Sequence, residues 1–193
     1  MKKLFVLLLC LVSLATSVVA ASAMVIDFES LYPGYEAQDI AIPSGYQGFN
    51  WSQAVLGITK YEIPGSGYEY GTIGNASIYT GWANDISFSN GSFDFNGAYI
   101  TAAWDVTESV VVEGWKNSSL LYSNTITTYN DKAYWFDFNF DDVDTVWFKP
   151  SGNHLCIDNI TVNEGVAPIP EPGTMMLLGT GLAGMLALRR KRS

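Results

Sequence analysis

His154 and Cys156 stand two residues apart. On a strand that spacing puts both side chains on one face, as a Cys–His nucleophile pair would require. No third residue within sequence reach would orient the imidazole, and a loop histidine beside a buried, hydrophobe-like cysteine is the commoner arrangement. A transition-metal centre is disfavoured too, because the chain has a single histidine and two cysteines and shows no H-E-x-x-H or C-x-x-C spacing. Neither a G-x-S-x-G elbow nor a phosphate loop occurs. Carboxylates are the plentiful reactive group, nineteen against ten Lys and Arg. A glycosidase needs two of them about 5–10 Å apart, which sequence alone neither supplies nor excludes.

Two non-catalytic chemistries remain. Asp27 and Glu29 lie near one end of the chain's central region and Asp158 near the other. If the first and last strands are neighbours, these acids meet, and a structural calcium ion would find carboxylates there. Calcium takes six to eight oxygens, so backbone carbonyls of a bulge at Asp158-Asn159 would have to complete the shell. The apolar register slips at that point, from Leu155 and Ile157 to Ile160 and Val162, as a bulge makes it do. Trp115 and Trp147 are the second pair. Strand alternation turns them away from Val112 and Phe148 respectively, and an exposed indole offers a flat apolar face on which a sugar ring can stack.

The elements that would position these residues read as strands. Val25 to Glu29 alternates. Phe93-Asp94-Phe95 and Ala98 to Trp104 flank an Asn96-Gly97 turn signal, and Ser109–Trp115 and Leu120–Thr127 flank a four-residue loop. Trp135 to Phe140 alternates with Phe136, Phe138 and Phe140 on one side, and Thr145–Phe148 and Leu155–Val162 complete the set. Asp141-Asp142-Val143-Asp144 reads as a solvated turn. The stretch from Tyr32 to Asp85, rich in glycine and tyrosine, reads as long loops at one end. No window between the termini shows a helical period. The expectation is an all-β fold, a jelly-roll-like antiparallel sandwich of eight to nine strands, with the first and last strands side by side.

The termini are of a different kind. Lys2-Lys3, an apolar run from Leu4 to Val12 and the small residues Ala21-Ser22-Ala23 form a secretory signal peptide, residues 1–23, with Ala20 as an alternative cleavage point. The run is too short for a comfortable membrane span. Leu9 argues against lipid attachment at Cys10. At the other end come Pro168-Ile169-Pro170-Glu171-Pro172, then sixteen uncharged residues from Gly173 to Leu188, then Arg189-Arg190-Lys191-Arg192. A helix over 173–188 would be about 24 Å long, a thin transmembrane span. The basic cluster, a membrane stop, would hold its end in the cytoplasm and leave the preceding chain outside. Gly179-Thr180-Gly181-Leu182-Ala183-Gly184 spells a dinucleotide fingerprint, but no strand precedes it and the chain ends nine residues later at Ser193. Small residues of a membrane helix explain those glycines.

Ile169-Pro170-Glu171-Pro172-Gly173-Thr174, followed by Leu177-Leu178-Gly179, Gly181-Leu182 and the basic cluster, resembles the PEP-CTERM sorting signal. That resemblance implies recognition by exosortase, an inner-membrane protease. It also implies a single-pass membrane precursor and a mature form at the cell surface or outside the cell, in bacteria that make extracellular polysaccharide. The Leu-Pro-x-Thr-Gly of a sortase signal is absent, and a GPI signal would not end on four basic residues. Asp27-Phe28-Glu29, Gly45-Tyr46-Gln47-Gly48-Phe49-Asn50-Trp51, Phe93-Asp94-Phe95-Asn96 and Ile157-Asp158-Asn159-Ile160-Thr161-Val162 resemble jelly-roll cargo domains found with such tails. The closing strand is also similar to that of MAM-like and carbohydrate-binding jelly rolls.

Three segments follow: 1–23, a β-sandwich domain over 24–166, and a sorting segment over 167–193. Between Met24 and Pro170 the chain keeps four lysines against eighteen carboxylates, a net charge of −14. Such a domain repels nucleic acid and anionic lipid. All six tryptophans lie in it, which marks it as folded. Cys156 is its one cysteine, so it holds no internal disulfide. Five Asn-x-Ser/Thr sequons, at Asn50, Asn75, Asn90, Asn117 and Asn159, read as polar turn and strand residues beside a bacterial sorting tail. No cofactor is demanded, structural calcium excepted. The expected function is a non-catalytic surface or matrix protein associated with polysaccharide. A ligand-free coat or spacer domain and a secreted glycan-active enzyme are the alternatives.

Overall fold

The computed structural model describes residues 23–163. The signal peptide, expected to be helical, the Pro170-Glu171-Pro172 motif, the 173–188 span and the Arg189–Arg192 stop lie outside the described residues. Among the described residues no helix is long and apolar enough to cross a membrane.

Alternation of apolar and polar residues drives the second half of the domain into long strands, because each strand buries one face and wets the other. The strands are β1 (Met24–Ile26), β2 (Ile40–Ala41), β3 (Asn50–Trp51), β4 (Val55–Thr59), β5 (Ala76–Thr80), β6 (Ile86–Ala102), β7 (Thr107–Lys116), β8 (Ser119–Tyr129), β9 (Tyr134–Pro150) and β10 (Leu155–Val162). One short helix, α1 (Gly67–Gly71), precedes β5. The hydrogen-bonded order is β2-β4-β5-β10-β6-β9-β7-β8, with β1 added to β10 and β3 to β6. Every pairing is antiparallel. β6 and β9 run for seventeen residues each and pair along most of their length. Their register shifts between Ser89 and Phe93, between Phe93 and Phe95, and between Phe95 and Gly97. Bulges of this kind bend strands, and the bent pair curves round the core as an antiparallel β-sandwich.

That core is aromatic. Phe28, Phe49, Phe88, Phe95, Phe140 and Phe148 are buried, and Phe95 stacks on Phe138 with ring centroids 5.0 Å apart. A second cluster of Ile58, Tyr68, Tyr79, Ala103 and Cys156 lies under α1. The helix approaches the sheet too closely for a side chain. A Cβ on Gly71 would stand 2.7 Å from the Thr101 side chain and 3.1 Å from Cys156 Sγ.

The first and last strands are neighbours as expected, with Met24 opposite Val162 and Ile26 opposite Ile160. The expected bulge is present too. The β10–β6 register shifts between Asp158 and Thr161, and Asn159 takes a positive φ of 44°. Other expectations are corrected. The Asn96-Gly97 pair is no turn but lies inside β6, and a Cβ at Gly97 would overlap the Trp135 ring and the Phe136 carbonyl. The β7–β8 connection has two residues rather than four. Asn117 and Ser118 adopt φ of 49° and 63°, the pattern of a type I′ turn that matches strand twist. Trp135–Phe140, Asp141–Asp144 and Thr145–Phe148 are one strand, bent where Asn139 and Asp142 take φ of 51° and 52°. Residues 32–85 contain four strands and α1 as well as loops. β5 within them is buried at all five positions. Covered on both faces, it carries no alternation.

Candidate functional site

Neighbouring β7 and β9 bring the two tryptophans together. Trp115 sits opposite Thr145, and Trp147 sits opposite Glu113, so the indoles are diagonal neighbours on the outer face. Val112 and Phe148 point the other way and are buried. Both indoles are partly exposed. They line an open groove of about 570 Å³ together with Asp85, Asn117, Ser118, Asp144, Thr145 and Lys149. Apolar ring faces bordered by a few polar groups are the usual makings of a small-molecule site.

Hydrogen bonds hold the groove in shape. The Trp115 Nε1–H donates to Glu113 Oε2 at 2.9 Å, and Lys149 Nζ pairs with the same oxygen at 2.7 Å. Burial pushes the Glu113 carboxyl up. Bonds from Lys149 and Trp115, with the lysine's charge, outweigh it and leave the pKa below the ordinary value. Asp144 supports the β7–β8 turn, accepting the Asn117 N–H at 2.6 Å and the Thr145 hydroxyl at 2.9 Å. Asp85 is exposed just before β6 and makes no hydrogen bond or ion pair among the described residues.

Sequence reasoning found the indoles and missed the rest of this wall. Glu113, Thr145 and Lys149 were within reach of the same signal, since each lies two residues from Trp115 or Trp147 and shares its face. Asp85 had no such signal. The β6–β9 ladder brings it in from sixty-two positions away from Trp147.

The acidic trio lies in one neighbourhood, with its oxygens turned to other partners. Asp158 on β10 is buried and accepts N–H groups of Ile73 and Asn159, each at 2.7 Å. Burial pushes its pKa up to about 8 despite these bonds, and the charges of Glu29 and Asp27 add to the rise. Glu29 accepts from the Asn75 N–H at 2.6 Å, the Asn75 amide at 2.9 Å and the Ala76 N–H at 3.2 Å. Its own burial raises its pKa, and these bonds bring it below the ordinary value. Asp27 is exposed and accepts the Glu29 N–H at 3.2 Å. Among the described residues no group of three or more His, Cys, Asp or Glu is placed to hold a metal ion. The oxygens expected to meet at a calcium ion thus accept hydrogen bonds from Ile73, Asn75, Ala76, Asn159 and, at Asp27, Glu29.

His154 and Cys156 also have separate partners. Cys156 is fully buried, with Sγ 3.2 Å from Ser77 Oγ, and burial pushes the thiol up to about 12. His154 Nδ1 lies 2.5 Å from the Tyr68 hydroxyl, and the imidazole stacks on Tyr79, whose hydroxyl donates to Asp39. Burial lowers the histidine pKa, with Asp39 opposing. The imidazole and the thiol thus bond to Tyr68 and Ser77 and are not paired with each other.

By its fold the described domain is an antiparallel β-sandwich, and it resembles a DUF4465 family protein from Bacteroides caccae ATCC 43185. The TM-score is 0.56 at 14% identity, covering 74% of this chain and 99% of that one. It is also similar to the K1 cleaved adhesin domain of Lys-gingipain from Porphyromonas gingivalis W83, with a TM-score of 0.46 and 10% identity, over 74% of this chain and 98% of that one. A ruminal GH26 endo-beta-1,4-mannanase is similar at a TM-score of 0.31 and 18% identity, over 77% of this chain and 27% of that one. At these identities the first likeness is one of fold, and the other two carry no argument. No curated protein matches the chain in sequence. Residues 168–192 match the family model of the PEP-CTERM protein-sorting motif. The motif implies an exported protein whose membrane-anchored precursor is recognised and processed by exosortase.

Proposed function

We propose that the exported domain is a non-catalytic polysaccharide-binding module of the cell surface or extracellular matrix, and that the Trp115–Trp147 groove is its binding site. The observation that carries this reading is the pairing of two partly exposed indoles on adjacent strands, along one groove edged with hydroxyl, amide and carboxylate groups. A sugar needs both kinds of surface: an apolar C–H face against an aromatic ring and hydroxyls against polar side chains. The non-catalytic part of the reading is supported by Asp144, whose two oxygens are occupied in holding the turn and Thr145. The finer fold assignment is a jelly roll, in keeping with β1 and β10 lying side by side.

The test is binding of the full-length chain, held in detergent, to a panel of soluble polysaccharides. Trp115→Ala and Trp147→Ala should each weaken binding about tenfold, the weight of a stacked aromatic, with thermal unfolding little changed. No binding to any polysaccharide would leave the ligand-free coat domain as the better reading, and binding indifferent to both substitutions would put the site elsewhere on the domain.

A further inference from the structure

We propose that the groove selects polysaccharides carrying free amino groups, of which partly de-N-acetylated hexosamine polymers are the chemical class. This rests on the binding reading above and deepens it.

The argument is one of charge left over. Four charged groups stand at or beside the groove: Asp85, Glu113, Asp144 and Lys149. Lys149 and Glu113 neutralise each other in an ion pair of 2.7 Å. The ammonium reaches across to β7 for this pairing. It leaves Asp85 alone, although Asp85 stands one step beyond the Ile86–Phe148 pair on the same ladder. Asp144 has no cation paired with it among the described residues and accepts hydrogen bonds from Asn117 of the β7–β8 turn and from its neighbour Thr145. Asp85 is exposed and has no partner among the described residues. The cavity therefore presents two indole faces and a net negative charge, with one carboxylate free to accept.

Three classes of polymer meet this surface differently. A uronate or sulfated chain is repelled by Asp85 and Asp144, and by a domain with four lysines against eighteen carboxylates. A neutral chain can stack on the indoles but gives Asp85 no counter-charge. A chain with protonated amines stacks in the same way and adds a charge-assisted N–H···O bond to Asp85. Its ammonium groups are also attracted to the indole faces, since cations favour tryptophan above other rings. Only this class uses every feature of the groove.

The experiment compares glucosamine oligomers, fully N-acetylated glucosamine oligomers and uronate oligomers of equal length, titrated into the full-length chain at slightly acidic pH and moderate salt. The amine form should bind about tenfold more tightly than the acetylated form, the weight of one charged hydrogen bond. That advantage should fade as pH rises and the amines lose their protons. Asp85→Asn should remove the preference, lowering affinity for the amine oligomer about tenfold more than for the acetylated one. Asp105→Asn, which alters another exposed acid elsewhere, should leave the preference in place and so separates local recognition from general attraction to an acidic domain. Equal binding of both oligomers, an equal effect of Asp105→Asn, or a preference surviving Asp85→Asn would overturn the proposal while leaving sugar binding intact. Polylysine binding as tightly as the glucosamine oligomer would overturn it in favour of a basic peptide. Failure of every oligomer to bind would refute the binding reading itself.

Discussion

Trp115 and Lys149 are fastened to a single atom, Oε2 of Glu113, by hydrogen bonds of 2.9 and 2.7 Å. The carboxylate sits two residues along β7 from the indole, and Lys149 follows Trp147 by two on β9. One acid thus sets the orientation of a groove wall and cancels the groove's one cation.

Glu113→Gln should show this. The amide cannot neutralise Lys149, which is then free to turn towards Asp85. The Trp115 indole loses its charged acceptor. Affinity for an amine-bearing oligomer should fall several-fold, with a smaller loss for the acetylated one, in a titration read by tryptophan fluorescence. Glu113 also gives a pH signature. Its folded pKa is depressed, so its contribution to stability is present above the unfolded value and is lost as pH falls through the folded one.

Asp158 should make stability fall as pH rises. Its folded pKa, about 8, lies above the ordinary carboxylate value, so the native state holds a proton that the unfolded chain has already released. Stability is fully present below the unfolded pKa and is lost progressively up to the folded one. Glu29 and Asp27 face it and strengthen the effect, while the Ile73 and Asn159 N–H groups moderate it. His154, with a lowered pKa, pulls the other way, but only below its ordinary value of 6.5. Between pH 7 and 8 the Asp158 slope should stand alone. Thermal unfolding of the wild type should decline across that window, and Asp158→Asn should flatten the decline.

Cys156 should be silent to thiol reagents in the folded protein. It is buried and its thiol is held protonated, with a pKa near 12, whereas thiolates are what such reagents attack. A maleimide should label it only in denaturant, or under native conditions at a rate that tracks unfolding. Fast labelling of native protein would contradict the described packing.

Processing gives a prediction from the tail. Pro170 and Pro172 resist a helical backbone, and an extended peptide is what a protease can take up. Cleavage is expected close to Pro172, and replacement of Arg189-Arg190-Lys191-Arg192 by neutral residues should impair retention and processing. Intact-mass measurement on surface protein from an exosortase-bearing host decides it. A dominant species still carrying Gly173–Ser193 would contradict the expectation.

Where a signal was local, the sequence carried it. Alternation against Val112 and Phe148 turns Trp115 and Trp147 outward, and the bulge at Asn159 is visible as a slip in the apolar register. The neighbours β1 and β10 were anticipated as well. What failed depended on contacts from elsewhere in the chain. β5 shows no alternation because the aromatic core covers one face and α1 with its loop covers the other. Asn96-Gly97 looks like a turn until Trp135 is known to occupy the space beside Gly97. Asp27 and Glu29 do lie near Asp158, whereas the hydrogen bonds from Ile73, Asn75 and Ala76 to two of these acids come from a loop that no local pattern links to them.

The place of β10 has a mechanical consequence. The chain leaves the domain from this strand towards the Pro170 motif, while the proposed ligand is held on β7 and β9. Tension between an anchored tail and a captured polymer enters at β10 and departs through β9, with β6 bonded to both between them. β10 offers no open side from which it could be peeled, since β6 lines one edge and β5 and β1 share the other. Force is divided among several ladders of hydrogen bonds instead of opening them one at a time. A domain wired in this way can stay folded under a pull that would unzip a strand at a sheet edge.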